Sequence, residues 1–283
     1  PRRSPWVSTL SPFLLRPASA FGKPVCRLGL AARGDAALTE DDVLYAVDHG
    51  VNFLNWPGGE DAMSRAIAGL GRPREQVIIC VQFEARTAAD AATELRSMLA
   101  TLGTGYIDVL TFYYVEEMAE WEELTGPRGA LAYCQAAKRD GTVRRLGLTT
   151  HQRLLAAAAV RSGLLDALMV RYNAAHRGAE QEVFPVADEH GLPVITYTAL
   201  RWGALLRPTA DDPPGFAVPP APAWYRFALQ SPSVAVVLAA PADRAELEED
   251  LAVLGADGPL PAGEYERLAE HGRRVRRHAG QFP

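Results

Sequence analysis

Residues 46–67, AVDHGVNFLNWPGGEDAMSRAI, contain the unit that decides the fold. A helical pattern stops at Gly50, an apolar run follows over residues 51–56, and Pro-Gly-Gly then marks a turn before a second helical pattern. A short unbroken apolar run between two helices is typical of a parallel strand covered on both faces. The stretch therefore predicts a chain in which strands and helices alternate.

The same alternation recurs along the chain. Eight short runs rich in Val, Ile, Leu or aromatic residues are predicted strands, over residues 27–31, 51–56, 77–82, 107–113, 145–149, 167–172, 194–197 and 234–239. Amphipathic segments of helical length separate them, over residues 39–50, 60–70, 88–102, 127–140, 151–163, 179–190, 222–230 and 243–253. Eight strands each followed by a helix predict a (β/α)8 TIM barrel. The competing doubly wound sheet usually carries G-x-G-x-x-G after its first strand, and RLGLAARGD at 27–35 lacks it.

Length fits a single barrel domain over residues 1–283. Residues 1–25 have a faint resemblance to a secretion signal, with Arg2 and Arg3 before an apolar stretch, but three prolines interrupt it. We expect an N-terminal β-hairpin there instead. A C-terminal helix with a basic, solvated end at Arg273–Arg277 is expected to close the chain.

Composition excludes several classes of function. A net charge of −5 gives no basic face for nucleic acid or an anionic membrane. Three widely spaced cysteines without a C-x-x-C pattern indicate a reducing cytoplasm and no metal site. Lysine is nearly absent whereas arginine, alanine and glycine abound, which indicates the coding bias of a high-GC bacterium.

Five segments in the correct order resemble the aldo-keto reductase superfamily. They are the quoted stretch, GTGYIDVLTFYY at 103–114, AKRDGTVRRLGLTT at 137–150, the run from VRYNAAHR to TALRWGALL at 170–206, and PSVAVVLAAPADRAELEEDLAVL at 232–254. The resemblance covers residues 26–255 and implies an NAD(P)H-dependent carbonyl reductase on a barrel. Such enzymes use an Asp, Tyr, Lys and His, in which Lys and His make the tyrosine acidic enough to donate a proton.

This chain departs from that tetrad at each position. Asn55 replaces the Asp, the short turn after it has no Tyr, Gln82 replaces the Lys, and Tyr113 replaces the His. Asn55 and Gln82 are expected to form a satisfied amide network, with a substrate contact as the alternative. Tyr113 or His151, which follows the fifth strand, could serve instead as an acid or base.

The resemblance also indicates where a cofactor would lie. Thr149 and Thr150 stand where the family has Ser-Asn, and Tyr197 where an aromatic ring stacks on the nicotinamide. Arg201 and Arg244 are candidate cofactor contacts, although the acids Glu246 and Asp250 would repel a phosphate nearby. We therefore expect NADP(H) binding to be weakened or lost.

The expected ligand is a small, partly aromatic or apolar molecule at the barrel mouth. Its predicted pocket residues are Trp56, Phe83, Tyr172 and Trp202, with His176 and Arg171 beside them. Three functions stay open: a pseudoenzyme or repurposed non-redox enzyme, an atypical NAD(P)H-dependent oxidoreductase, and a ligand-binding or regulatory scaffold subunit with a protein partner or homo-oligomeric assembly. The acidic run from Glu116 to Glu123 is interpreted as a solvated face, and Tyr114 as helix-facing core.

Overall fold

Eight parallel strands close into a barrel in the computed structural model, which describes residues 10–278. A hairpin of β1 (Leu15–Arg16) and β2 (Val25–Cys26) precedes them. The barrel strands are β3 (Leu28–Ala31), β4 (Phe53–Trp56), β5 (Ile78–Phe83), β6 (Val109–Phe112), β7 (Leu146–Thr150), β8 (Ala167–Arg171), β9 (Val194–Tyr197) and β10 (Val234–Ala239). They are adjacent in chain order, and β10 pairs with both β3 and β9. The predicted TIM barrel is therefore confirmed.

Helices follow every strand of the barrel. They are α1 (Glu40–Asp48), α2 (Ala62–Gly69), α3 (Ala88–Thr101), α4 (Met118–Thr125), α5 (Ala130–Asp140), α6 (Arg153–Arg161), α7 (Ala179–Glu182), α8 (Phe184–Glu189), α9 (Ala221–Leu229), α10 (Arg244–Leu251) and α11 (Ala262–Arg277). Thr39 caps α1 in a capping box with Asp42, as its sequence predicts. The turn of the quoted stretch needs its glycines, because Gly58 and Gly59 have φ values of 117° and 80°.

Alternation along the strands sorts the side chains into two layers. Phe53, Ile78, Cys80, Val109 and Met169 point into the barrel and pack there with one another. The intervening residues pack against the surrounding helices in a second, larger core. Position along a strand therefore decides whether a side chain can reach the barrel interior.

The amino-terminal end of the barrel is closed by the hairpin. The Phe21 ring packs inside against Phe53, with ring centroids 5.4 Å apart. Lys23 and Arg74 both form ion pairs with the buried Asp108, each at 2.7 Å. The predicted hairpin is thus found over residues 15–26, while the first nine residues lie outside the part that the structure describes. The hairpin does not cover the opposite end of the barrel, where the strands have their carboxyl ends, so a functional site can lie there.

Helix α11 forms hydrogen bonds and ion pairs with the long segment that follows β9. Asp212 accepts hydrogen bonds from the buried His271 at 2.9 Å and from Arg274 at 2.6 Å. Asp211 pairs with Arg277 and His278, so the basic end of α11 is partly engaged rather than wholly solvated. No helix within residues 10–278 is long and apolar enough to cross a membrane.

Candidate active site at the barrel mouth

Four aromatic rings gather where strands β6, β7 and β9 end. Tyr113 stacks on Tyr114 with ring centroids 4.0 Å apart, and Tyr114 lies 4.6 Å from His151. Tyr197 meets His151 edge-on at 5.5 Å and Tyr114 at 6.2 Å. We call Tyr113, Tyr114, His151 and Tyr197 the mouth cluster. The sequence predicts three of its members, Tyr113, His151 and Tyr197, as site residues, and they lie at the ends of three different strands.

Tyr114 is the member that strand alternation placed wrongly. Its φ of 43° is left-handed, which is rare for a residue other than glycine. The strand has already ended at Phe112, so the backbone turns and directs the Tyr114 ring against the inner layer rather than against the helices. Strained backbone of this kind is concentrated at functional sites.

Glu116 is a second residue whose role the sequence missed. Its Oε1 accepts hydrogen bonds from the His151 backbone N at 2.9 Å and from Nδ1 of the ring at 3.1 Å. Its Oε2 accepts from the Gln152 side chain at 3.1 Å. Glu116 therefore anchors His151 instead of lying on a solvated acidic face, and no spacing in the sequence links residues 35 apart.

Polar side chains face inward on strands β4, β5 and β7. Asn55 and Gln82 follow the inward-facing Phe53 and Cys80 by two positions, and Thr149 lies opposite the inward-facing Met169. Asn55 is 2% exposed, yet neither its Oδ1 nor the Oγ1 of Thr149 has a hydrogen-bond partner among the described residues. The expected satisfied amide network is therefore wrong at Asn55. Buried unpaired oxygens of this kind need a donor.

Burial controls the ionisation of the mouth cluster. It raises the pKa of Tyr114, and the neighbouring Tyr113 and Glu116 raise it further. Burial likewise raises the pKa of Tyr197, whose hydroxyl donates to the Thr150 carbonyl at 3.2 Å. A phenol with a raised pKa holds its proton more tightly. Neither tyrosine is therefore prepared to donate a proton near neutral pH.

Arginines add positive charge to one side of the mouth. Arg171 ends β8 directly beside Tyr197 and follows the inward-facing Met169 by two positions. Burial lowers the pKa of Arg171, yet a guanidinium stays charged at any physiological pH. Arg171 therefore places a positive charge on this side of the mouth.

The charge of the mouth predicts a pH-dependent stability. Burial lowers the pKa of His176 to about 4, and four arginines reinforce the shift: Arg171, Arg201, Arg276 and Arg153. Because the unfolded chain binds the proton at about 6.5, stability is expected to fall as the pH drops from 6.5 towards 4. Solvent screening reduces the effect to about 1–2 kcal/mol.

Urea unfolding at pH 4.5 and pH 7 would measure this dependence. His176→Gln is expected to flatten it, and a matching change at the exposed His190 is expected to leave it unaltered. An equal slope in the wild type and in His176→Gln would contradict the assignment.

Several predicted pocket residues lie elsewhere. Trp56 and Phe83 point outward into the helix-facing core, because they alternate with Asn55 and Gln82. Tyr172 also faces the helices, where it packs on Phe184 of α8 at 4.9 Å and donates to Glu180 at 2.7 Å. These three residues do not line the mouth. Successive side chains of a strand face opposite sides of the sheet. This alternation can be read from the sequence, and it excludes the three residues from the mouth.

The predicted cofactor contacts are similarly dispersed. Arg201 has a left-handed backbone and borders a side cavity of about 370 Å³ with Arg207 and His278. The predicted pocket residue Trp202 also has a left-handed backbone and borders this side cavity. Thr150 uses its hydroxyl to accept from the Gln152 backbone. Arg244 pairs with Asp42 and Glu248, each at 2.8 Å, and lies over the Tyr45 ring.

Carboxylates of the chain itself occupy the start of α10. Asp243 accepts from the Glu246 backbone N at 2.9 Å, and Glu246 accepts from the Ala242 backbone N at 2.7 Å. Asp250 does not face a phosphate site at this helix start, so it is not positioned to repel a phosphate there as expected. Its side chain is buried against Tyr225, and burial raises the pKa of Asp250 to about 7. The backbone N–H groups of Ala242 and Glu246, which could bind a phosphate at the start of the helix, thus already donate to carboxylates of the chain.

Both lysines of the chain lie far from the mouth cluster. Lys23 binds Asp108 and the Val77 carbonyl at the amino-terminal end of the barrel. Lys138 binds Asp166, which immediately precedes β8. Within residues 10–278, no group of three or more His, Cys, Asp and Glu side chains could hold a metal ion. The mouth therefore relies on tyrosine, histidine, glutamate, arginine and neutral polar groups.

A closed parallel barrel whose polar groups gather at the carboxyl ends of its strands belongs to the α/β-barrel class, most of whose enzymes have their active sites at that end. The model of the aldo/keto reductase family matches residues 28–220, and the chain belongs to this family.

Two relatives carry names that agree with this assignment. The chain is 24% identical over 212 residues to the NADH-specific methylglyoxal reductase of Escherichia coli, a match that covers 65% of this chain and 63% of that protein. It is 26% identical over 229 residues to an aldo-keto reductase of Mycolicibacterium paratuberculosis, which covers 76% and 75% of the two chains.

Two solved structures share the fold. The holo form of a Bacillus halodurans aldo-keto reductase has a TM-score of 0.73 at 18% identity and covers 93% of this chain and 96% of its own. A Klebsiella pneumoniae aldo/keto reductase in complex with NADP and acetate has a TM-score of 0.70 at 20% identity, with 88% and 92% covered.

Proposed function

We propose that this aldo/keto reductase family member binds a small ligand at its barrel mouth without performing NAD(P)H-dependent carbonyl reduction. The observation that carries the proposal is the position of Lys23 and Lys138, which both lie away from the mouth cluster. Since the chain has no other lysine, no ammonium group can acidify a tyrosine there. The raised pKa values of Tyr114 and Tyr197 agree with that loss.

Tyr197 supports the same proposal from the side of the cofactor. The family resemblance implies that this ring stacks on a nicotinamide, and stacking needs an open face. Tyr197 is only 8% exposed, because Tyr114 and His151 lie against it. Little of the Tyr197 ring is therefore open to a stacking cofactor. Together with the carboxylates at the start of α10, this arrangement supports the proposal that NAD(P)H binds weakly or not at all.

The unpaired polar groups support a different ligand at the same mouth. Asn55 Oδ1 and Thr149 Oγ1 are buried inside the barrel and lack partners among the described residues, so a ligand hydroxyl or amide could satisfy them. Aromatic rings and a few convergent polar groups are the usual lining of a small-molecule site. We favour a repurposed non-redox enzyme over a pseudoenzyme, because Glu116 holds both the backbone and the ring of His151 by hydrogen bonds.

Titration of NADPH and NADH against protein fluorescence tests the proposal, because the chain has five tryptophans. We expect no binding tighter than about 10 µM, which corresponds to about 7 kcal/mol. Tyr114→Gly is the informative variant: glycine accepts the left-handed backbone and removes the ring beside Tyr197. Weak NADPH binding in this variant alone would identify the ring as the obstacle.

Two outcomes would favour the other functions. Wild-type binding tighter than about 10 µM, with aldehyde turnover lost in Tyr113→Phe or His151→Gln, would support an atypical oxidoreductase and overturn the proposal. A stable hetero-complex without any small-molecule binding would support a scaffold subunit instead.

A further inference from the structure

A cavity of about 500 Å³ lies on the outer side of the barrel, between the turn after β4 and helix α3. Trp56 and the turn residues Gly58 and Gly59 line one side of it, and Glu94 and Met98 of α3 line the other. The mouth cluster contributes no residue to this lining. A cavity of this size is typical of a small-molecule site. It is therefore a candidate for a second ligand site.

Three carboxylates give this cavity a negative charge. Glu60, Glu84 and Glu94 all line it, and none of them forms an ion pair with another residue of the range 10–278. Arg86 donates to the Glu84 backbone carbonyl at 2.8 Å, but its charge pairs with Glu120 at 2.6 Å. A cation from outside the chain is therefore attracted to the cavity.

Glu94 is held in place while its charge stays uncompensated. Its Oε1 accepts from the Glu84 backbone N at 2.8 Å, and its Oε2 accepts from the Ala85 backbone N at 2.7 Å. Burial raises the pKa of Glu94, and the nearby Glu84 raises it further, against these two hydrogen bonds and Arg86. Each carboxylate oxygen still has a free lone pair. A cation in the cavity would relieve the repulsion between the two carboxylates.

The indole of Trp56 is a second, independent sign of a ligand. Trp56 is 1% exposed, and its Nε1 is buried without a hydrogen-bond partner among the described residues. An indole N–H only donates, so this group needs an acceptor oxygen. A Cβ at Gly58 or Gly59 would have no atom within 4 Å, so the turn beside the indole has room to move. A ligand oxygen that enters beneath the turn could therefore reach Nε1.

The spacing of the carboxylates decides which kind of cation fits. Among the described residues, no three His, Cys, Asp or Glu side chains are close enough together to hold a metal ion. The three glutamates therefore do not converge on a single point charge. A guanidinium presents N–H donors in several directions and matches carboxylates by paired hydrogen bonds. An extended organic cation of this type suits the cavity better than a compact ion.

We propose that this cavity binds a small organic cation, a guanidine that also carries a carbonyl oxygen. Glu60, Glu84 and Glu94 bind the guanidinium through charge-assisted hydrogen bonds, and Nε1 of Trp56 donates to the carbonyl. The site does not depend on the ligand proposed for the mouth, although Asn55 and Trp56 are neighbours in β4.

Isothermal titration calorimetry with three matched probes tests the site. Argininamide carries a guanidinium and a carbonyl, agmatine lacks the carbonyl, and citrullinamide lacks the guanidinium. We expect argininamide to bind about ten times more tightly than either of the others. Glu60→Gln combined with Glu84→Gln should weaken its binding about tenfold, and the fold should persist because both side chains are exposed. Glu122→Gln, at an exposed position of α4, is the matched control and should bind as the wild type.

Trp56→Phe separates the hydrogen bond from the aromatic ring. Phenylalanine keeps a ring but has no N–H, so the preference for argininamide over agmatine should disappear while agmatine binds as before. NMR of the wild type gives the same information if this variant folds poorly. One of the five tryptophan indole N–H signals should shift with argininamide and not with agmatine.

Three outcomes would overturn the proposal. They are equal affinity for the three probes, unaltered affinity in the double glutamate variant, and tighter binding of a blocked arginine tripeptide than of argininamide. The last result would assign the cavity to an arginine of a protein partner instead of a free small molecule. Titration with NADPH tests the barrel mouth separately, so the failure of either proposal leaves the other standing.

Discussion

Asp108→Asn is expected to lower the free energy of unfolding by about 3–5 kcal/mol. The Asp108 carboxylate is buried and neutralises both Lys23 and Arg74, and it also accepts from the Ile79 backbone N at 3.0 Å. An amide keeps one acceptor but removes the charge, which leaves two cations at the amino-terminal end of the barrel without compensation. Loss of one partner from a buried ion pair is far more costly than loss of an exposed pair.

Urea unfolding followed by circular dichroism would measure this difference. Asp35→Asn is the matched control, since Asp35 pairs with Arg33 at an exposed position and its loss should change stability by less than about 0.5 kcal/mol. The position of Asp108 also predicts how its substitution affects the ligand site. It lies at the end opposite the mouth cluster, so the variant should keep its ligand site wherever it remains folded. A change of less than about 1 kcal/mol would show that the two cations find other partners.

The fold could be predicted from the sequence because its signals are local and repeated. Each barrel strand is a short apolar run, and glycines such as Gly50 and Gly141 end the helices between them. Among the helices, α4 has no distinct prediction, because its acidic residues indicate only a solvated face of a helix or loop. Closure of the barrel follows once eight such units are counted.

The site was only partly predictable, and the reasons are physical. Asn55, Gln82 and Thr149 face inward as the strand period requires. Tyr114 could not be placed, because a left-handed residue just after a strand reverses the alternation. The pairing of Glu116 with His151 depends on the approach of two loops, which no local pattern records. Loops position catalytic groups by tertiary contacts, so their roles emerge only in three dimensions.

Gly272→Ala is expected to destabilise the protein by about 2–3 kcal/mol, although alanine is the better helix former. Gly272 lies within α11, and a Cβ added there would be 2.3 Å from the Ala174 carbonyl oxygen and 2.4 Å from its carbon. Backbone atoms cannot turn aside as a flexible side chain can. The helix must therefore move away from the loop after β8, and that movement would break the buried contact of His271 with Asp212.

Gly263→Ala in the same helix separates this steric effect from helix propensity. Nothing lies within 4 Å of a Cβ at Gly263, so alanine is expected to stabilise the chain by about 0.5 kcal/mol. Backbone amide protons along α11 should exchange faster in Gly272→Ala than in the wild type, whereas Gly263→Ala should leave their exchange rates unchanged. Because Ala174 and His176 share the loop after β8, displacement of α11 should also alter the pH dependence assigned to His176. Equal stability of the two glycine variants would mean that α11 does not dock as closely as the 2.3 Å approach requires.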